Sequence, residues 1–503
     1  MKSKIENIKK NITYGFGSFF IKMILSFIAR KIFLHYLGVE VLGIDSVFMN
    51  IISLLSLAEL GVGNAIIYSL YKPLVENDKE KIKSLMRYYK KAYNFIGILI
   101  ILIGILILPF LNKIISQNIF SNKIYLIFLL YLANTSFTYF YSYKSTLLIA
   151  DQKNYVVNMV ANSIYVLQFL TQTIILALTK NFTLYLIVQI IFTILYNLYI
   201  SRRTVKSYPY LLEVSQKMTS NEEKEILKNV KATMIMKISG LLVNNTDNLI
   251  INSIFGITLL GKISNYTLII SAINSILNQL FTSMTSSVGH LNTTNDQEKK
   301  YIVFKSINFL NFVFFGVFSL GFIFLVNDFI TIWLGREYLL STNVVLLLGI
   351  NLYMFGMQNT IIMYKNTMGL FVQGKYLLLI TAFINLFLSV YLGKKIGIEG
   401  VFIATLIARI STNFWYHPYI VYKYGLKKPF RDYVIRYLKF GIIIIITFYL
   451  SNQISQKFTV ENIVLFLIKG LIITAINLLL MGILFLKSDE VKFLKKIFLK
   501  KIR

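Results

Sequence analysis

The sequence predicts an all-α protein threaded through a membrane about fourteen times. Three observations predict it. The 503 residues are 56% hydrophobic, and their mean hydropathy is +0.65. Apolar runs of the roughly 20 residues needed to span a bilayer recur along the whole chain, with brief polar segments between them. Basic residues gather at the ends of alternate runs, the asymmetry that fixes orientation in a membrane.

The net charge of +30 does not point to nucleic acid, because the lysines and arginines lie at span ends and not on a soluble domain. They act as topology signals and attract anionic lipid. With no cysteine and three histidines far apart (His35, His290 and His417), thiol chemistry is excluded and no metal-ligand spacing is present. The basic opening MKSKIENIKKNITYGF mimics a signal peptide. No small-residue cleavage site follows it, so it reads as an uncleaved first helix.

The spans follow in order. Residues 11–37 and 43–71 form the first pair, preceded by Lys2, Lys4, Lys9 and Lys10 and followed by Lys72, Lys79, Lys81, Lys83 and Arg87. Residues 88–110, 122–149, 155–178 and 182–201 complete a six-span half, 1–201, closed by Arg202, Arg203 and Lys206. The linker 202–230 contains Pro209 and the charged run SNEEKEILKN, a loop composition that separates two helical blocks. Spans 231–254, 262–288, 302–326, 340–370, 376–396 and 398–422 make a second half, 231–423. Lys427, Lys428 and Arg431 follow it. Two further helices, 434–451 and 461–486, lie in the segment 424–503 and end in a basic tail. The opposite loops carry few charges, which places both termini in the cytoplasm.

The halves repeat. LGVEVLG at 37–43 aligns with FGITLLG at 255–261, and at the same offset NDKEK at 77–81 aligns with NDQEK at 295–299. A repeat of six spans is even, so both copies enter from the same side. Parallel halves of this kind hold a substrate between them and work by rocking.

Polar stripes mark the spans that face such a site. Lys22, Ser26 and Arg30 are spaced four apart on one helical face, and the repeat carries that face onto Gly240, Asn244 and Asn248, beside Asp247, in NNTDNLII. An ionisable residue at this depth is a functional candidate by default. Further stripes are Asn158, Asn162, Tyr165, Gln168 and Gln172; Asn351, Gln358 and Lys365; and Thr405, Arg409 and Thr412. Arginine presents a fork to phosphate oxygens and lysine a point charge, while amides and tyrosines suit sugar hydroxyls. The substrate-binding candidates are therefore Arg30, Lys22, Lys237, Lys365, Arg409, Asn244 and Asn248. Asp247, then Glu59, are the candidates for coupling to Na+ or H+. Competing readings are helix-joining hydrogen bonds for the amides, snorkelling for Lys22 and Lys237, and an ion pair of Arg30 with Glu59 or Asp247. Asp328 and Glu337 flank ITIWLGR in an outer loop and read as solvated acids. No GxxxxGK[ST] loop, no nucleophile-histidine-acid set and no long outer loop is present, so no catalytic residue and no cofactor is expected.

The chain resembles the bacterial polysaccharide repeat-unit flippases of the Wzx type, in the multidrug/oligosaccharidyl-lipid/polysaccharide exporter superfamily. The resemblance rests on Arg30, LG-x-x-x-LG, LSLAELG and SLYKPL within 30–110, NNTDNLII with ISNYTLII, FITIWLG at 329–335, and MGLFVQGKY through IEGVFIATLIARI at 368–410. It departs at Lys365, where an arginine is expected, and at Gln373-Gly374, where an acid is frequent. The resemblance implies an undecaprenyl-pyrophosphate-linked glycan as substrate and a multi-pass location in a bacterial plasma membrane. It also implies membrane lipids, glycosyltransferases and a polysaccharide polymerase as partners. The alternatives are a small-molecule exporter of the same superfamily and a flippase for lipid-linked peptidoglycan precursor.

Overall fold

The computed structural model describes residues 2–59, 62–115, 123–214, 218–219, 223–224, 226, 246–292, 296–370, 373–374, 376–483, 485–486 and 488–502. Every regular element among them is helical. The main helices are α1 (Lys2–Leu55), α2 (Val62–Glu76), α3 (Lys79–Ile107), α4 (Ile124–Ala150), α5 (Asn154–Thr179), α6 (Phe182–Ser207), α7 (Ile257–Asn292) and α8 (Gln297–Trp333). After them come α9 (Thr342–Gly356), α10 (Asn359–Thr367), α11 (Leu377–Ile396), α12 (Ile398–Ser411), α13 (Asn413–Ile420), α14 (Phe430–Ser455), α15 (Ile463–Ile483) and α16 (Asp489–Ile502).

Among the described residues, eleven helical stretches are long and apolar enough to cross a membrane. Three features account for the difference from the fourteen or so spans expected. The first expected span and the start of the second run together as α1, kinked at Gly38 (φ 81°, ψ 175°), a conformation open essentially to glycine alone, and the rest of the second lies in the short α2. The seventh is described only from residue 246. The twelfth is broken at Thr412, between α12 and α13, and continues as a π-type turn at Val421–Leu426.

The sequence repeat reappears as repeated local geometry. Gly256 has φ 86°, matching Gly38. Asp78 caps α3 and Asp296 caps α8, each accepting from the backbone N–H three residues on (Lys81 and Lys299) at 2.9 Å. A carboxylate at this position satisfies an orphan N–H and complements the helix dipole, so the NDKEK and NDQEK segments start helices for the same reason.

The chain divides into two compact units, 1–261 and 262–503. In the first, α1 packs on α5, and α4 packs on α3 and α6, around a core that includes Leu70, Leu85, Tyr89, Leu147 and Ile200. A tight backbone crossing also lies in this unit. A Cβ added to Gly43 would sit 2.2 Å from the Ile257 carbonyl oxygen, and one added to Gly261 would sit 2.3 Å from that of Val39. The two contacts are reciprocal under the repeat. Gly43→Ala or Gly261→Ala must push backbones apart, an overpacking cost of about 1–3 kcal/mol. Thermal unfolding in detergent should show either variant melting earlier than the parent. Gly441→Ala, where the new Cβ meets nothing within 4 Å, is the control.

In the second unit, α11 and α12 form a hairpin about Gly397, and α8 gathers α9, α14 and α15. Phe312 of α8 and Phe440 of α14 stack with centroids 4.1 Å apart. The last two spans are thus packed against the second half by a shared apolar core. Asp328 departs from the solvated reading, because the buried Lys469 of α15 donates to its Oδ2 at 2.7 Å. Glu337 is exposed.

Candidate functional site

In the first unit the candidate site is built across the kink in α1. Arg30 precedes Gly38 and Asp45 follows it. A straight α-helix would hold them about 22 Å apart along its axis, but the kink folds the helix so that the Arg30 guanidinium interacts electrostatically with Asp45 and with Tyr185 of α6. Tyr131 of α4 donates a hydrogen bond to Asp45 Oδ1. Phe33 packs edge-on to Tyr185, and Phe182 stacks on the same ring. Four polar groups from three helices thus meet among aromatic rings within the apolar spans. Here electrostatic interactions are strengthened and an unmatched charge is costly.

The stripe on α1 does not act as a unit. Ser26 donates to its own helix at Met23 O, 2.7 Å, and Lys22 is exposed. On α5, Asn162 donates to Ser18 of α1, Gln168 to Gln172 at 3.3 Å, and Gln172 to the Tyr185 carbonyl at 3.1 Å. Asn162 and Gln172 join helices, Gln172 bracing the backbone of Tyr185, while Gln168 bonds within α5.

Glu59 is held by two phenols. It ends a 3₁₀ turn, Ser56–Glu59, at the break between α1 and α2, where Tyr93 and Tyr139 each donate to its carboxylate at 3.4 Å. Asn248 donates to Asn50 Oδ1 at 3.1 Å, which ties the described end of NNTDNLII to α1. Asp247 is half-buried beside it. Lys237 and Asn244 lie outside the described residues.

In the second unit Lys365 of α10 is buried, and its Nζ lies 3.2 Å from Nδ1 of His417 on α13. Either group can be the donor, according to the imidazole tautomer and the protonation of the amine. Among the described residues Lys365 forms no ion pair, and a buried lysine in this setting holds its proton more firmly once an anionic ligand lies beside it. Arg409 of α12 lies over the Phe355 ring at 5.0 Å. Its stripe partners serve other ends: Thr405 accepts from Asn385 at 3.0 Å, and Thr412 shares a hydrogen bond with Thr381 at 2.7 Å. Both seal α11 to α12. Asn351 likewise donates to the Phe402 carbonyl at 3.2 Å.

Asp45, Tyr131, Tyr185 and His417 are the functional candidates that the polar-stripe reading missed. An acid alone in the apolar run LGIDSVF was the available signal for Asp45.

This polytopic helical fold is similar to those of solved membrane transporters. The chain is similar to the lipid II flippase MurJ in an inward closed conformation, with a TM-score of 0.69 and 18% identity over 94% of this chain and 99% of that one. It is similar to an inward-facing multidrug resistance MATE transporter (0.61 and 13%, over 77% and 91%), and to the Vibrio cholerae MATE transporter VcmN (0.58 and 14%, over 85% and 99%). No protein-family model and no curated protein sequence matches the chain.

Proposed function

We propose that the chain is a flippase that moves undecaprenyl-pyrophosphate-linked oligosaccharide repeat units from the inner to the outer leaflet of a bacterial plasma membrane. It works by alternating access and serves the assembly of a capsular, exopolysaccharide or O-antigen-type polysaccharide. Both termini are cytoplasmic, and no step is enzymatic. The observation that carries the reading is Arg30, a guanidinium set at the Gly38 kink within the apolar spans and matched by Asp45 and two phenols. A pyrophosphate crossing bare hydrocarbon is prohibitively costly. A cation held in place by a weaker anionic partner can exchange that partner for the pyrophosphate. Lys365 with His417, and Arg409, supply further positive charge, while Lys22, Lys237, Asn244 and Asn248 complete the proposed set. Asp247, and then Glu59 at its helix break, are the carboxylates proposed to couple transport to H+ or Na+, since broken helices are where transporters place ion sites. Glycosyltransferases supply the substrate and a polymerase consumes it.

The test is reconstitution of the purified chain in vesicles carrying a labelled undecaprenyl-pyrophosphate oligosaccharide in one leaflet. Transfer to the other leaflet is the expected result; no transfer, with gradient-driven drug efflux instead, overturns it in favour of a small-molecule exporter. A second reading, a flippase for lipid-linked peptidoglycan precursor, is favoured by the likeness to a lipid II flippase structure. Deletion of the gene separates the two. Loss of surface polysaccharide with viable cells supports the first, and lethality supports the second. Transport that ignores both proton and sodium gradients rules out coupling at Asp247 and Glu59.

A further inference from the structure

A polar seam runs into the second unit between α8 and α14. It starts at a pocket of about 410 Å³ whose lining includes Tyr301 and Lys305 of α8, Asp432 and Arg436 of α14 and Glu490 of α16. In the orientation proposed above, this pocket faces the cytoplasm. Tyr301 donates to Asp432 at 3.2 Å, and Arg436 donates to the Lys305 carbonyl at 3.2 Å and to Glu490. Deeper along the seam come Asn308 and Asn311 of α8, Tyr433 and Tyr437 of α14, and the break between α9 and α10 at Met357–Gln358. From Tyr301 to Asn311 α8 rises about 15 Å, half of a hydrocarbon core of about 30 Å. The stacked rings of Phe312 and Phe440 close the seam beyond that point.

At the break two backbone carbonyls take donors from neighbouring helices. Asn311 Nδ2 donates to Gly356 O at 2.9 Å, and Tyr437 donates to Met357 O at 2.9 Å. The amides of Asn308 and Gln358, which are 1% and 8% exposed, and Oδ1 of Asn311 complete no hydrogen bond of good geometry. Phenols stand beside the two amides, Tyr437 at Asn308 and Tyr433 at Gln358. Each phenol proton is already given to a backbone carbonyl, Met357 O and Phe414 O. The phenols therefore serve at most the two NH2 groups, and three amide oxygens stay without a donor. Three such oxygens left dry would forfeit a large part of a protein's net stability.

Water donates as well as accepts, and it fits a lining that offers oxygens and NH2 groups together. A metal cation takes lone pairs only. Among the described residues no carboxylate is hydrogen-bonded to the cluster to hold one, and Arg436 and Glu490 neutralise each other.

We infer that water enters along this seam and binds at the Met357–Gln358 break, and that the wet break is the hinge on which α9 and α10 move during transport. The hinge role rests on the flippase reading. Hydrogen bonds to water exchange at little cost, and hinges form where a few element-terminal residues absorb the motion.

Two methionines provide the test, because Met357 and Met481 are both 0% exposed and belong to one apolar core. Met357 Sδ lies 3.8 Å from Asn311 Nδ2, within the cluster. Met481 packs on Gly316, beyond the aromatic stack. The full chain in nanodiscs is exposed to brief pulses of radiolytic hydroxyl radicals, and oxidation is read by mass spectrometry. Met357 is expected to oxidise at least about tenfold faster than Met481, since a dry methionine reacts only through local opening. Equally slow oxidation of the two would overturn the water site, and this comparison within the parent holds whether or not any variant folds. Asn308→Leu/Gln358→Met replaces the amides with apolar groups of similar shape. It is expected to slow Met357 to the rate of Met481, to melt at or above the parent, and to transfer oligosaccharide at least about fivefold more slowly. Unchanged oxidation of Met357 in that variant would refute the amides as the water site. Parental transfer by a variant whose Met357 is protected would refute the hinge. A parent chain that transfers no oligosaccharide sinks the flippase reading, and the methionine comparison still decides the water site.

Discussion

On the flippase reading, Arg30→Ala is expected to lower vesicle transport of the lipid-linked oligosaccharide at least about 100-fold, and adding Asp45→Asn is expected not to restore it. Loss of a matched charge at a buried anion site is worth about 3–5 kcal/mol, and each 1.4 kcal/mol is tenfold. The double variant separates two roles for Arg30. In Arg30→Ala alone, Asp45 keeps its hydrogen bond from Tyr131 but loses its counter-charge, so folding suffers as well as binding. Arg30→Ala/Asp45→Asn removes both charges and should recover protein abundance, measured by immunoblot of membranes. If the guanidinium only neutralises Asp45, transport recovers with abundance; if it receives pyrophosphate, transport stays low. Recovery of transport in the double variant would reject the binding role. Arg30→Lys should fall between, because an ammonium keeps the charge and loses the planar fork.

The same four-residue cluster shows what a sequence does and does not disclose. Spans were legible because each needs a long apolar run, and the lysine asymmetry ordered them. The repeat was legible too: Gly38 and Gly256 share a left-handed φ, and Asp78 and Asp296 cap their helices alike. Breaks inside spans were not legible. Hydropathy averages over a window, so the interruptions at Glu59, at Met357–Gln358 and at Thr412 leave no mark in it. Asp45 was missed for a related reason. Helical spacing relates residues three or four apart, and nothing in that period links residue 30 to residue 45; the kink does. His417 carries no signal in the sequence for the same reason: its neighbour in space is a lysine 52 positions away. The polar stripes were legible as stripes, but sharing a helical face does not fix which partner each member meets. Ser26, Thr405 and Thr412 satisfy themselves within or between helices and leave Arg30 and Arg409 to other surroundings.

The ion pair of Asp328 with Lys469, at a separation of 141 residues, yields the sharpest stability prediction. It clamps α15 to α8 toward the C-terminal end of α8, remote from Phe309 and Phe312, whose apolar core with Phe440 and Met481 also holds the last two helices in the second unit. Lys469 is nearly fully buried in a span, and its ammonium has been taken out of water for this partner. Lys469→Met leaves Asp328 unmatched, and Asp328→Leu leaves a buried cation unmatched. Breaking a buried pair from one side costs about 3–5 kcal/mol, so each single variant should melt well below the parent in detergent. Replacing both partners with apolar residues of similar volume removes the desolvation cost together with the attraction, an exchange often neutral or favourable. Asp328→Leu/Lys469→Met is therefore expected to melt near the parent, giving strongly non-additive values in a double-mutant cycle. Additive losses would mean that the two groups act separately. Single variants as stable as the parent would mean that water already reaches the pair.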